Sequence, residues 1–292
     1  MDLPSARPLL LHHEVAGPAD APPLVLGPSL GTSMALWEPQ LPSLARHFRV
    51  FRFDLPGHGG SPAELLPDPA PGRTTVEDLA ALVLAVADHH GLTGFHYAGV
   101  SLGGAIGAHL AVHRPERLLS LAAICSSAHF GAAQPWYERA ALVRREGLAP
   151  LVGASPARWF AEPGAGVAAS PFGRRLLAGL AGAQPAGYAA CCDALAAYDL
   201  RDRLGRIAAP TLVVAGSHDV ATPVAHAREL VDGVPRAALE VIPAGHLAVE
   251  APQALAEVLL THLRSAAPAP APAPVPAPGP PPPPPGGRRG GN

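Results

Sequence analysis

Apolar residues in this chain fall into short runs that alternate with longer stretches of helical spacing. The short runs cover residues 9–15, 24–27, 48–53, 95–100, 118–124, 210–216 and 238–242. Most have the length and near-continuous hydrophobicity of strands buried on both faces. Between them the spacing turns helical. Thr75-Val76-Glu77-Asp78 opens one helix as an N-cap followed by acidic first-turn residues, and that helix runs to about His90. Another covers Ala105 to Val112 and stops before Pro115, and two more open at Thr222-Pro223 and near Pro252. Alternating strands and helices predict an α/β fold with a mostly parallel central sheet flanked by helices.

The alternation lapses between Ile124 and Thr211, a stretch too long for a single crossover. It is rich in Ala, Gly and Arg at helical spacing and carries Trp136, Tyr137, Trp159, Phe160, Phe172 and Tyr188. A helical lid insertion is therefore expected at about 127–197, over the strand ends. Beyond Ala266 the composition changes to alternating Pro-Ala and then Pro280 to Pro285, a segment with nothing to bury. The organisation read from these features is one folded domain over 1–266 and a Pro/Ala/Gly-rich disordered tail or linker over 267–292.

Candidate chemistry begins at Gly99-Val100-Ser101-Leu102-Gly103, where the strand over 95–100 runs into a small-residue helix. Gly-x-Ser-x-Gly in that setting is a nucleophile elbow: the glycines make room for a sharp backbone crossing that projects the serine hydroxyl. Ser101 then needs a general base, and the base needs an orienting carboxylate, in the chain order Ser, Asp, His. Asp219 leaves the strand over 210–216, and His246 follows the strand over 238–242. Asp219 is equally well placed to cap the helix after it, and His218 beside it competes for the role of base. Joint placement at strand carboxyl ends, where open α/β sheets build their sites, favours Ser101, Asp219 and His246 as a catalytic set.

An oxyanion formed at Ser101 requires two backbone N–H donors. Leu102 follows the nucleophile and supplies one; the loop Pro28 to Ser33 leaves the strand over 24–27, and Leu30 in it supplies the other, with the Ser29 side chain an alternative. In the lid, Arg139 lies one helical turn from Trp136, so the two can share a face, and a guanidinium holds a carboxylate bidentately. The remaining lid arginines read as a solvated helix face, with Arg144 and Arg158 as alternative carboxylate partners.

Composition narrows the field by what is missing. All 21 Lys+Arg residues are arginine, which excludes a Walker A loop, a lysine Schiff base and a Ser-Lys hydrolase. A net charge of -2 gives no reason to expect nucleic acid or an anionic membrane as partner. The three cysteines, two of them adjacent, suit neither a disulfide framework nor a zinc site, and Cys125 reads as core. Met1 to Pro8 carries no apolar signal segment. Together these point to the cytoplasm.

The chain resembles the 3-oxoadipate enol-lactonase family of the α/β-hydrolase superfamily over residues 9–264. The resemblance rests on Ser29-Leu30-Gly31-Thr32 with Trp37, the turn Pro56 to Ser61, the elbow with His113-Arg114-Pro115-Glu116-Arg117, and Trp136 with Arg139. Most specific is Gly187 to Leu195 with Asp199-Leu200. Pro56 stands where the family has an arginine in its Arg-Gly-His-Gly turn, and that turn is expected to lie outside the catalytic constellation. The resemblance implies an α/β-hydrolase fold and a serine triad of Ser101, Asp219 and His246. It implies hydrolysis of a small anionic enol-lactone to 3-oxoadipate, with no metal or organic cofactor, and a pocket in which Trp136 and Arg139 hold the substrate carboxylate. A carboxylesterase, a carbon–carbon bond hydrolase or a non-catalytic binder on the same fold would carry the same core residues.

Overall fold

The computed structural model describes residues 10–266. The tail expected over 267–292, the N-terminal residues 1–8 and the first residue of the strand expected over 9–15 lie outside them. The elements run β1 (His13–Ala16), β2 (Pro23–Gly27), α1 (Leu41–Leu44), β3 (Arg49–Phe53), α2 (Val76–His89), β4 (Phe95–Val100), α3 (Leu102–His113) and β5 (Leu118–Ile124). There follow α4 (Ala133–Glu146), α5 (Ala149–Val152), α6 (Ser155–Trp159), α7 (Gly166–Ala169), α8 (Pro171–Ala181) and α9 (Pro185–Ala197). The fold closes with β6 (Thr211–Gly216), α10 (Val224–Gly233), β7 (Ala237–Ile242) and α11 (Pro252–Ser265). None of the described helices is long and apolar enough to cross a membrane.

The strands form one sheet in the order β1-β3-β2-β4-β5-β6-β7, parallel throughout except for β1. The central strand β4 is buried at all six positions, His96 among them. The chain steps outward from β2 to β3 and then returns to the other side of β2 to form β4, so the strand order reverses there. A crevice opens at such a switch point beyond the strand ends. Gly27 at the end of β2 is in register with Gly99 near the end of β4, and Gly216 with Ile242. The loops that leave these strands therefore emerge on one level.

Local signals set the boundaries. Thr75 and Asp78 close a reciprocal capping box at the start of α2, with Thr75 N–H donating to Asp78 Oδ2 at 2.8 Å and Asp78 N–H to Thr75 Oγ1 at 3.2 Å. β1 starts later than its apolar run, because the residues ahead of it bind a turn instead. His12 N–H donates to Ser61 Oγ at 2.8 Å and its carbonyl accepts from Asp54 N–H at 2.9 Å. Conversely, α3 begins at Leu102, directly after the elbow, rather than at Ala105. The insertion expected over 127–197 holds α4 to α9. Within it α4 packs along α9, clamped by Arg144 Nη2 on the buried Asp193 Oδ2 at 2.5 Å.

Candidate active site

Ser101 sits between β4 and α3 with φ 55° and ψ −114°, a conformation that costs a non-glycine residue about 1–3 kcal/mol. Its surroundings hold it there. Ser101 N–H donates to Ile124 O at 2.9 Å, while its carbonyl accepts from Ser126 Oγ at 2.8 Å and from Ala105 N–H at 3.0 Å. Strand and helix cross so closely that a Cβ on Gly99 would lie 2.2 Å from the Gly103 carbonyl carbon. The glycine spacing of the motif is thus a packing requirement, and the side chain it frees opens into a cavity shared with His246.

His246 Nδ1 lies 2.9 Å from Asp219 Oδ2, and both residues are buried. Asp219 does not cap α10, whose N-cap is Pro223, but fixes the turn ahead of it: Oδ1 accepts from Ala221 N–H at 2.7 Å and Thr222 N–H at 2.9 Å, and Thr222 Oγ1 donates to Oδ2 at 2.7 Å. One carboxylate oxygen thus fixes the loop and the other faces the imidazole. Burial works against the Asp219 charge, but His246 and the Thr222 side chain and amide outweigh it and hold the carboxyl below its usual range. His218 is exposed and turned to Ser217 Oγ, away from this pair. Asp199 is exposed and bound to Arg201. Cys125 lies one residue past β5 rather than within it, buried at φ 45°, with Sγ 3.7 Å from Gly245 O.

Leu102 and Leu30 are the expected oxyanion donors. Leu102 is the first residue of α3, so its N–H has no partner within the helix and the positive end of the helix dipole points the same way. Leu30 lines the Ser101 cavity from the β2 loop, as does the buried Ser29. The turn at Pro56 to Ser61, expected to lie outside the catalytic constellation, touches this loop directly. His58 Nε2 accepts from Gly31 N–H at 3.1 Å and His58 Nδ1 donates to Pro56 O at 3.0 Å. Asp54 adds to the hold by accepting from Met34 N–H at 2.7 Å and Gly60 N–H at 2.8 Å. Burial lowers the His58 pKa against the Pro56 hydrogen bond and the Asp54 charge, so the ring stays neutral with Nε2 free to accept. The sequence signal for His58 was present in the Gly-His-Gly turn, but its partner lies 27 residues away.

The lid completes the cavity. Trp136, Arg139, Arg158 and Tyr188 line it together with Ser101 and His246. Trp136 and Arg139 do share a face of α4, with the guanidinium 4.9 Å from the indole centroid. Arg144 is committed to Asp193, Arg145 to Glu146 and Arg175 to Glu38, which removes them as carboxylate partners. Tyr188 stands beside His58, their ring centroids 6.0 Å apart, because α9 meets the Pro56–Gly57 turn glycine to glycine. A Cβ on Gly187 would lie 2.4 Å from Pro56 O. Tyr188 is buried in the core and also lines the cavity, a position that only the folding of the lid gives it.

An α/β-hydrolase fold family profile matches residues 22–144. 3-Oxoadipate enol-lactonase 2 of Acinetobacter baylyi is 36% identical over 254 residues, covering 87% of this chain and 92% of that protein. RutD of Stutzerimonas stutzeri, which carries a provisional name as a carbamate hydrolase, is 33% identical over 87% of this chain and 96% of its own. Among solved structures, the enol-lactonase of Burkholderia xenovorans superposes with a TM-score of 0.81 at 32% identity, covering 87% of this chain and 96% of that one. With a strained serine elbow, a buried Asp–His pair and sequence identity that extends through the lid, the chain belongs to the 3-oxoadipate enol-lactonase family of α/β-hydrolases.

Proposed function

We propose that this protein is a serine hydrolase that opens 3-oxoadipate enol-lactone with water to give 3-oxoadipate. The observation that carries the reading is the meeting of Ser101, His246 and Arg139 in the lining of one cavity, a nucleophile, a base and a cation together. In this mechanism His246 Nε2 takes the Ser101 proton as Oγ attacks the lactone carbonyl. Asp219 stays ionised, fixes the tautomer through Nδ1 and stabilises the imidazolium. The amides of Leu30 and Leu102 hold the tetrahedral oxyanion.

Collapse of that intermediate breaks the ring C–O bond, and the enol oxygen leaves with the proton from His246. The tethered enol tautomerises to a ketone, which removes the nucleophile that would reclose the ring. Water then attacks the acyl-enzyme with His246 as base, releasing the second carboxylate and restoring Ser101. Each step uses groups of the chain and water alone. Trp136 and Arg139 are assigned to the substrate carboxylate, which stays at the lid while the carbonyl reacts.

The test compares kcat/KM for the enol-lactone, a simple aryl ester and a small carbamate. The lactone is expected to be preferred by orders of magnitude. Faster carbamate turnover would favour the chemistry named for the RutD relative, and faster ester turnover a general carboxylesterase.

A further inference from the structure

Of the six arginines in the lid core, three are spent in ion pairs with Asp193, Glu146 and Glu38, and Arg174 is spent on the Ala169 carbonyl. Arg139 and Arg158 are in no ion pair among the described residues, and they sit at the functional cavity. They come from different helices, α4 and α6, and each is anchored. Trp136, which Arg139 covers, donates Nε1–H to Phe130 O at 2.8 Å. The helix of Arg158 is tied to the His246 loop by Leu247 N–H donating to Trp159 O at 3.2 Å. Glu250 extends that tie by accepting from Ala161 N–H at 2.8 Å and Gly245 N–H at 3.2 Å. Arg158 is thereby held in a fixed relation to the residue next to His246.

Trp136, Arg139 and Arg158 line two adjoining cavities. The inner one, about 70 Å³, contains Ser101 and His246; the other, about 200 Å³, is bounded by Phe130, Pro135 and Ala221. Two guanidiniums on a shared wall repel each other. Burial, and then the charge of Arg139, lower the Arg158 pKa, with Tyr188 and Asp219 acting the other way. Asp219 gives little relief, since its oxygens are taken by His246, Thr222 and Ala221. A carboxylate has acceptor sites enough for both forks and would cancel the repulsion at once.

We infer that Arg158 is a second carboxylate-binding residue and forms with Arg139 a two-guanidinium receptor for the anionic end of the substrate. The lactonase reading above supplies the natural ligand, but the receptor itself is defined for any small aliphatic monocarboxylate whose far end reaches Ser101. Arg139 stacks on the indole and Arg158 is tied to the His246 loop, so the anion would be held between the lid and the base. Its position fixes where the carbonyl meets the nucleophile.

The test is inhibition of 4-nitrophenyl acetate hydrolysis by pentanoate, with pentanamide as the uncharged control. Pentanoate is expected to compete in the parent protein and pentanamide to inhibit at least tenfold more weakly. Arg158→Met and Arg139→Met should each raise the pentanoate inhibition constant about tenfold or more, the scale of one charge-assisted hydrogen bond, with Arg158→Lys between parent and Arg158→Met. Each constant is measured against that variant's own ester turnover, so a general loss of activity does not imitate the result. An unchanged constant in Arg158→Met, or equal inhibition by acid and amide, overturns the receptor. Failure of the parent to open the enol-lactone, with the pentanoate pattern intact, would leave the receptor standing and sink only the substrate assignment.

Discussion

His58 Nε2 accepts the Gly31 amide proton at 3.1 Å, and this bond ties a turn from the end of β3 to the loop that presents Leu30 to the nucleophile. A neutral ring is essential to it, since a protonated Nε2 would face the Gly31 N–H with a second donor. His58→Ala should therefore lower kcat, by up to about 100-fold given what one oxyanion donor is worth, while KM changes less. His58→Gln, whose carbonyl can accept from Gly31, should recover part of the loss. Affinity for a boronate that mimics the tetrahedral intermediate should fall in step with kcat. A raised KM at unchanged kcat would make His58 a pocket wall and nothing more.

Ser101→Ala should abolish labelling by a fluorophosphonate and cost turnover by a factor on the order of 10⁶, because the members of a triad act as a unit. Asp219→Asn keeps an oxygen for the Ala221 and Thr222 amides but turns an NH₂ toward His246 Nδ1, which imposes the wrong tautomer. The expected loss is roughly 10⁴-fold in kcat. Asp199→Asn is the control, since Asp199 is bound to Arg201 at the surface, and its carboxyl is lowered to about 2 chiefly by that hydrogen bond. A severe Asp199→Asn beside a mild Asp219→Asn would reverse the assignment.

Arg144 should prove to be a clamp for the lid. Asp193 is buried and accepts from Gly72 N–H at 2.9 Å as well as from Arg144, so Arg144→Leu leaves a carboxylate without its cation. A loss of about 3 kcal/mol in unfolding free energy is expected, and Arg144→Leu with Asp193→Leu should recover much of it. Urea titration of the two singles and the double gives the coupling. No coupling would mean that the pair is immaterial to stability.

Acid stability should depend on His96. Its Nδ1 faces Ser120 Oγ at 2.8 Å and its Nε2 is buried without a partner. Burial, with a smaller push from His262, lowers its pKa to about 4. The unfolded chain takes up this proton near pH 6.5, so the stability is full above that pH, is lost as the pH falls toward about 4, and levels off below. The difference amounts to about 3 kcal/mol. His96→Asn can still serve Ser120 and should flatten the profile; urea midpoints at pH 7, 5.5 and 4.5 would reveal it. Parallel profiles for parent and variant would assign the acid lability to other groups.

The local signals in the chain determined much of this protein. Strand positions follow from runs such as Leu212 to Ala215, whose continuous hydrophobicity suits a strand buried on both faces. Ser101 follows from glycines whose absent side chains allow strand and helix to cross, and the order Ser, Asp, His follows from which strands end before Asp219 and His246. Each is a matter of spacing over a few residues, which a sequence displays directly. The contacts of His58 with Gly31, of Arg144 with Asp193 and of Tyr188 with the turn at Gly57 are of another kind. They join residues far apart in the chain, and nothing local distinguishes Arg158 from the arginines that end in ion pairs. Which cation stays free, and which histidine accepts rather than titrates, depends on the groups that packing brings beside it, and the tertiary structure alone decides that.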